Sequence, residues 1–140
     1  MPLLSEKLGA TSAPLLFDPL RVLIVDDHLA VREGLSRLIG NDPVRPRPVF
    51  TASSTAEALR ALVDVRPHVV VLDVDLAGAD GLALLPALVA VAQVLVLSCH
   101  GDRETRRRAF FLGARAFIEK GEPASVLLEH LSRCEADRFA

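Results

Sequence analysis

Four groups of side chains in this 140-residue chain could do chemistry if the fold brought them together. They are the acidic pair Asp26-Asp27, a further carboxylate at Asp73, the hydroxyl of Ser98 and the ammonium of Lys120. Each follows a short, mostly apolar run: VLIV before Asp26, VVVL before Asp73, VLVL before Ser98 and AFIE before Lys120. Three carboxylates on one rim repel, and each raises the others' pKa unless a cation intervenes. A few carboxylates with water and a phosphate are the coordination style of Mg2+. A hydroxyl and an ammonium opposite the metal suit the remaining oxygens of a phosphoryl group. Taken singly, an Asp after a strand is commonly just a helix N-cap. Lys120 says more, because the chain holds 14 Arg against 2 Lys and uses no other Lys after residue 7. Lysine brings a compact, mobile charge to phosphate where arginine imposes a rigid fork.

The elements that must position these groups follow from periodicity. Continuous apolar runs over residues 22–25, 68–72 and 94–97 predict central parallel strands buried on both faces, with weaker strands over 44–51 and 116–118. Between them, helical spacing at Val31, Leu35, Leu38 and Ile39 ends at Gly40 and Asn41. A capping box, Ser54-Thr55-Ala56-Glu57, opens a helix to about residue 63. Further helices are predicted over 81–90, kinked at Pro86, over 102–112, and from Glu122-Pro123 onward with an apolar stripe of Val126, Leu127, Leu131 and Cys134. Five strands alternating with five helices imply an α/β, doubly wound parallel sheet, whose active crevice lies at the carboxyl ends of the strands.

Composition narrows the function classes. With 51% hydrophobic residues, 24% charged and net charge −2, the chain is expected to form one domain with a real core. A near-neutral chain of pI about 6.1 lacks the cationic balance of a nucleic-acid binder, so no direct nucleic-acid contact is expected. Cys99 and Cys134 have no metal-ligand spacing and read as reduced thiols of a cytoplasmic protein, Cys99 as a small buried hydrophobe. The four histidines, His28, His68, His100 and His130, share no metal-ligand spacing and receive no metal role. The apolar stretch 82–97 is too short for a membrane span and breaks at Gln93 into a strand-like run. Residues 1–20 read as a flexible extension and not a signal peptide, 21–134 as the domain and 135–140 as a tail.

Four blocks in order, VLIVDDHLAVREGL (22–35), VVVLDVDLAGADGLALL (69–85), VLVLSCH (94–100) and GARAFIEKG (113–121), resemble the signature blocks of the two-component response-regulator receiver domain. The DDH-xx-VREGL form is most similar to the NarL/FixJ branch, whose members usually add a LuxR-type helix-turn-helix. The resemblance implies a CheY-like (βα)5 fold with strand order 2-1-3-4-5. It implies Asp73 as phosphoacceptor from a sensor histidine kinase or phosphotransfer protein. Mg2+ would be held by Asp27 and Asp73 and by the backbone carbonyl of Asp75, with Asp26 acting through water. Lys120 and Ser98 would hold the phosphoryl group, Ser98 and Phe117 would act as the switch, and Asp75 and His100 would tune phosphoryl lifetime. Partners, a homodimer among them, would use the surface of helix four, strand five and helix five, where Arg103, Arg106, Arg107 and Arg108 make a basic face. The protein is expected to be a regulator that catalyses only its own phosphorylation and dephosphorylation.

The chain departs from the family at Leu76-Ala77, where Met-Pro is usual, so that loop is expected to be mobile. Two alternatives stand beside the resemblance. One is a phosphorylation-independent dimerisation scaffold. The other is a haloacid-dehalogenase-like phosphatase using Asp73 and Asp75, although Ala77 occupies the position of that family's Thr and the strand is third, not first.

Overall fold

A computed structural model describes residues 18–99 and 101–138. In chain order they form β1 (Val22–Val25), α1 (Leu29–Gly40), β2 (Val49–Ala52), α2 (Thr55–Asp64) and β3 (Val69–Asp73). A small hairpin (Asp75–Leu76 with Ala79–Asp80) and a 3-10 turn (Gly81–Leu84) lead into α3 (Leu85–Val89). Then come β4 (Gln93–Ser98), α4 (Arg103–Phe111), β5 (Ala116–Glu119) and α5 (Ala124–Asp137). The five main strands pair in parallel in the order β2-β1-β3-β4-β5, the expected doubly wound topology.

Every residue of β1 and β3 is buried, as central strands covered on both faces must be. Alternate side chains serve two cores. Leu23, Val25, Val70 and Leu72 pack against Ala58 of α2, Leu85 and Leu88 of α3 and Ala109 of α4. Val22, Ile24, Val69 and Val71 pack against Ile39 of α1 and Leu127, Leu131 and Cys134 of α5.

Several local expectations are corrected. β2 starts at Val49 and not at 44, because Pro46 and Pro48 have no N–H to give a ladder. Between them Arg47 is buried, its guanidinium on Asp42 at 3.2 Å and on Ser132 Oγ at 3.3 Å. The stretch 81–90 is not one kinked helix: a 3-10 turn precedes α3, and Pro86 falls in the first turn of α3, where its missing N–H costs nothing. At α2, Ser54 caps as expected by accepting from the Glu57 N–H, while the Glu57 carboxylate reaches one residue further back, to Ser53. Ala77 (φ +50°) and Gly78 (φ +84°) form the turn of a tight two-residue hairpin in place of the family's Met-Pro. Cys99 is exposed, not buried.

The ends of the folded body also shift. Leu20 is fully buried, Arg138 donates to the Asp18 carbonyl at 3.0 Å, and α5 continues past residue 134 to Asp137. Residues 1–17 of the expected extension and 139–140 of the expected tail lie outside the described residues, as does His100. Residues 82–97 form turn, helix and strand, and among the described residues no helix is long and apolar enough to cross a membrane.

Candidate functional site

Register puts the carboxylates side by side. Val25 pairs with Leu72, so Asp26 at the end of β1 lies beside Asp73, the last residue of β3. Asp73 is in turn level with Leu97 of β4, one residue before Ser98. Lys120 follows β5, on the far side of β4, and its long side chain crosses to the carboxylates. Its Nζ lies 3.2 Å from Asp26 Oδ2 and 3.3 Å from Asp73 Oδ1. Only 1% of the Asp26 side chain and 3% of that of Asp73 is exposed, which places this ion pair largely out of water.

The acids are held by local backbone. Asp26 Oδ1 accepts from the His28 N–H at 2.9 Å, and its own carbonyl accepts from Arg32 Nη1 at 2.8 Å. Asp73 Oδ1 accepts from the Asp75 N–H at 3.3 Å. Burial, then the Asp26 charge, pushes the Asp73 carboxyl above the ordinary Asp range, against the pull of Lys120. Burial also opposes the Lys120 ammonium, but Asp73 and Asp26 outweigh it and raise its pKa, so the ammonium keeps its charge at neutral pH.

One ammonium facing three carboxylates leaves negative charge over. Asp27 Oδ1 and Asp73 Oδ2 are buried and have no hydrogen-bond partner among the described residues. Asp26, Asp27, His28 and Asp73 each offer a donor atom, all within 4.8 Å of one another. Orphaned carboxylate oxygens at that spacing fit a hard divalent cation. Above them is a cleft of about 210 Å³ lined in part by Asp73, Asp75, Ser98, Cys99, Asp102 and Lys120. A wider cleft of about 600 Å³, around Pro67, Val91 and Arg138, lies at the other end of the sheet, away from these strand-end carboxylates.

Residues 22–132 match the model of the response regulator receiver domain. The chain belongs to that family. The receiver is similar to a protein-glutamate methylesterase/protein-glutamine glutaminase of Koribacter versatilis, with 35% identity over 81% of this chain and 32% of the relative. It is likewise similar to the transcriptional activator protein ExaE of Pseudomonas putida, with 34% identity over 80% of this chain and 53% of the relative. The receiver thus spans about a third to a half of these relatives. A solved LuxR-family two-component response regulator from Aurantimonas sp. superposes with a TM-score of 0.76 at 29% identity, over 84% of this chain and 85% of that one.

The receiver fold brings Asp26, Asp27, Asp73 and Lys120 together, with Ser98, buried, on the cleft wall. The side chain of Asp75 is exposed, on the hairpin. Phe117 is buried in the core with Ala109 and Leu88, and the Arg106 guanidinium lies 5.6 Å from its ring centroid. The basic face of α4 is partly neutralised: Arg107 pairs with Glu104 at 2.8 Å and Arg108 with Asp80 at 2.6 Å. Sequence reasoning passed over two residues. His28 enters the carboxylate cluster, which its place directly after Asp27 signals more plainly than any ligand spacing. Gly81 lies against the Asp73 backbone, a close approach that a glycine just after an N-cap acid could have marked.

Proposed function

We propose that this receiver takes a phosphoryl group onto Asp73 from the phosphohistidine of a sensor kinase or phosphotransfer protein in the cytoplasm. The reading rests above all on a buried Asp73 carboxylate that keeps one unpartnered oxygen at the cleft while Lys120 holds the other. One Asp73 oxygen forms a bond to phosphorus as the P–N bond breaks, and the electron pair leaves on the imidazole nitrogen. A carboxylate is a weak nucleophile, so the rate comes from alignment of Asp73 and from Lys120 neutralising charge on the phosphoryl oxygens. Asp27, Asp73 and the Asp75 carbonyl, with help from Asp26, would hold Mg2+, which would supply further charge neutralisation. Ser98 then turns toward the phosphoryl group, the space it vacates lets Phe117 turn further inward, and the surface of α4, β5 and α5 changes for an output partner or a second copy. Asp75 adjusts how long the phosphoryl group lasts.

Asp27→Asn separates the demands of stability and function. Removing one of three crowded carboxylates is expected to raise metal-free stability by about 1 kcal/mol, a few degrees in Tm, while abolishing the further stabilisation by Mg2+. Thermal unfolding in chelator and in Mg2+ reads both; a loss of metal-free stability contradicts the electrostatic account.

The direct test is incubation with acetyl phosphate followed by intact mass. Uptake is expected to stop at one phosphoryl group per chain and to vanish in chelator. Continuous hydrolysis of phosphate esters over many turnovers would instead mark an enzyme, and no uptake from acetyl phosphate or a phosphorylated phosphotransfer protein a scaffold.

A further inference from the structure

We propose that His28 is a fourth ligand of the divalent-cation site, through Nδ1, and that it tilts the site from Mg2+ toward first-row transition ions such as Mn2+. The inference rests on the reading above that the strand-end carboxylates hold a cation.

The backbone aims the ring. His28 takes an extended conformation (φ −92°, ψ 116°) at the start of α1, and its N–H is fixed on Asp26 Oδ1 at 2.9 Å. That turn folds the imidazole back over the acids, with Nδ1 3.3 Å from Asp26 Oδ1 and 3.2 Å from Asp27 Oδ1. Nδ1 now makes a hydrogen bond or ion pair with these two acids, a contact that a cation entering between them would replace. The ring makes no capping bond to α1, and 64% of the side chain is exposed, so apolar packing does not hold it there. In the same cluster Asp73 Oδ2 is buried without a hydrogen-bond partner, and Asp27 Oδ1 is buried with His28 Nδ1 as its polar neighbour.

The chemistry of the donor set gives the preference. A neutral imidazole adds a ligand without adding a fourth negative charge to an already crowded cluster. Mg2+ gains little from it, because it prefers oxygen and keeps several waters. Imidazole nitrogen suits the transition ions, whose affinity at a mixed nitrogen and oxygen site rises along the first row from Mn2+, the weakest binder of the series and the one whose paramagnetism reports its ligands. The acids and Lys120 would still run phosphoryl transfer, and His28 would decide which ion serves it.

The test compares wild type with His28→Gln in metal binding and in electron paramagnetic resonance of bound Mn2+. Wild type is expected to show the hyperfine modulation of one directly bound nitrogen, absent from His28→Gln. Mn2+ affinity should fall about tenfold in the variant, the size typical of losing a contact that supports a metal site, while Mg2+ affinity changes by less than about threefold. Mn2+ bound without nitrogen coupling, coupling that survives His28→Gln, or an unchanged Mn2+ to Mg2+ ratio overturns the histidine ligand and leaves the carboxylate site standing. No binding of either ion to wild type overturns both readings.

Discussion

Replacing Lys120 by methionine is expected to move metal binding and phosphoryl uptake in opposite directions. The ammonium lies 3.2 Å from Asp26 Oδ2 and 3.3 Å from Asp73 Oδ1, so it competes with any other cation for the same carboxylates. Its removal relieves roughly 1 kcal/mol of repulsion against a bound cation even at high effective dielectric, a gain of several-fold in Mg2+ affinity. Uptake onto Asp73 should nonetheless slow by about 10²–10³-fold, the usual loss when one positioned charge is taken from a developing oxyanion. Metal-free stability should also fall, because Asp26 and Asp73 are then buried without a counter-charge. Titration calorimetry with Mg2+ and a time course of intact mass read the two effects. A parallel loss of both would mean that Lys120 serves only to hold the fold.

Gly81→Ala is expected to damage the site without touching any charged group. A Cβ at Gly81 would collide with the Asp73 carbonyl oxygen and stand 2.6 Å from that of Val74. Both contacts are backbone, so no side-chain rotation relieves them, and the Gly81 N–H is already committed to the Val74 oxygen at 2.7 Å. The segment that gives way carries Asp73. We expect about 1–3 kcal/mol of destabilisation, the usual cost of overpacking. Misplacing Asp73 by about an ångström should cost up to 10²-fold in phosphoryl uptake. Gly34→Ala on α1 is the control: its Cβ would meet no heavy atom within 4 Å among the described residues, and helix propensity should make it neutral or stabilising by about 0.5–1 kcal/mol. Denaturant unfolding and the same mass time course decide; a Gly81→Ala protein that unfolds and phosphorylates like wild type contradicts the close packing described.

The sheet was legible because its signal is strong and local. The runs before Asp26, Asp73 and Ser98 are apolar without interruption, and only strands covered on both faces tolerate that. Asp26, Asp73, Ser98 and Lys120 stand at or just past the carboxyl ends of these strands and of β5, which is why the sequence already points to the residues that converge at the cleft. What the sequence hid depends on neighbours distant along the chain or on backbone shape. Pro86 reads as a kink until the 3-10 turn before it places it in a first turn. Ala77 gives no hint that it adopts φ +50° in a hairpin, since alanine seldom does. Gly81 looks like an ordinary helix start until the Asp73 carbonyl is seen beside it. His28 has no spaced-ligand signature because its partners are adjacent in sequence and across the sheet.

Locating the phosphoryl group within the chain tests the central claim most directly. Wild-type protein incubated with acetyl phosphate and Mg2+ is digested, and the peptides are sequenced by tandem mass spectrometry beside those of Asp73→Ala. The account predicts one modified residue, Asp73, in wild type and none in the variant. Equal uptake by the two proteins, or modification at any other residue of the wild type in place of Asp73, would contradict it.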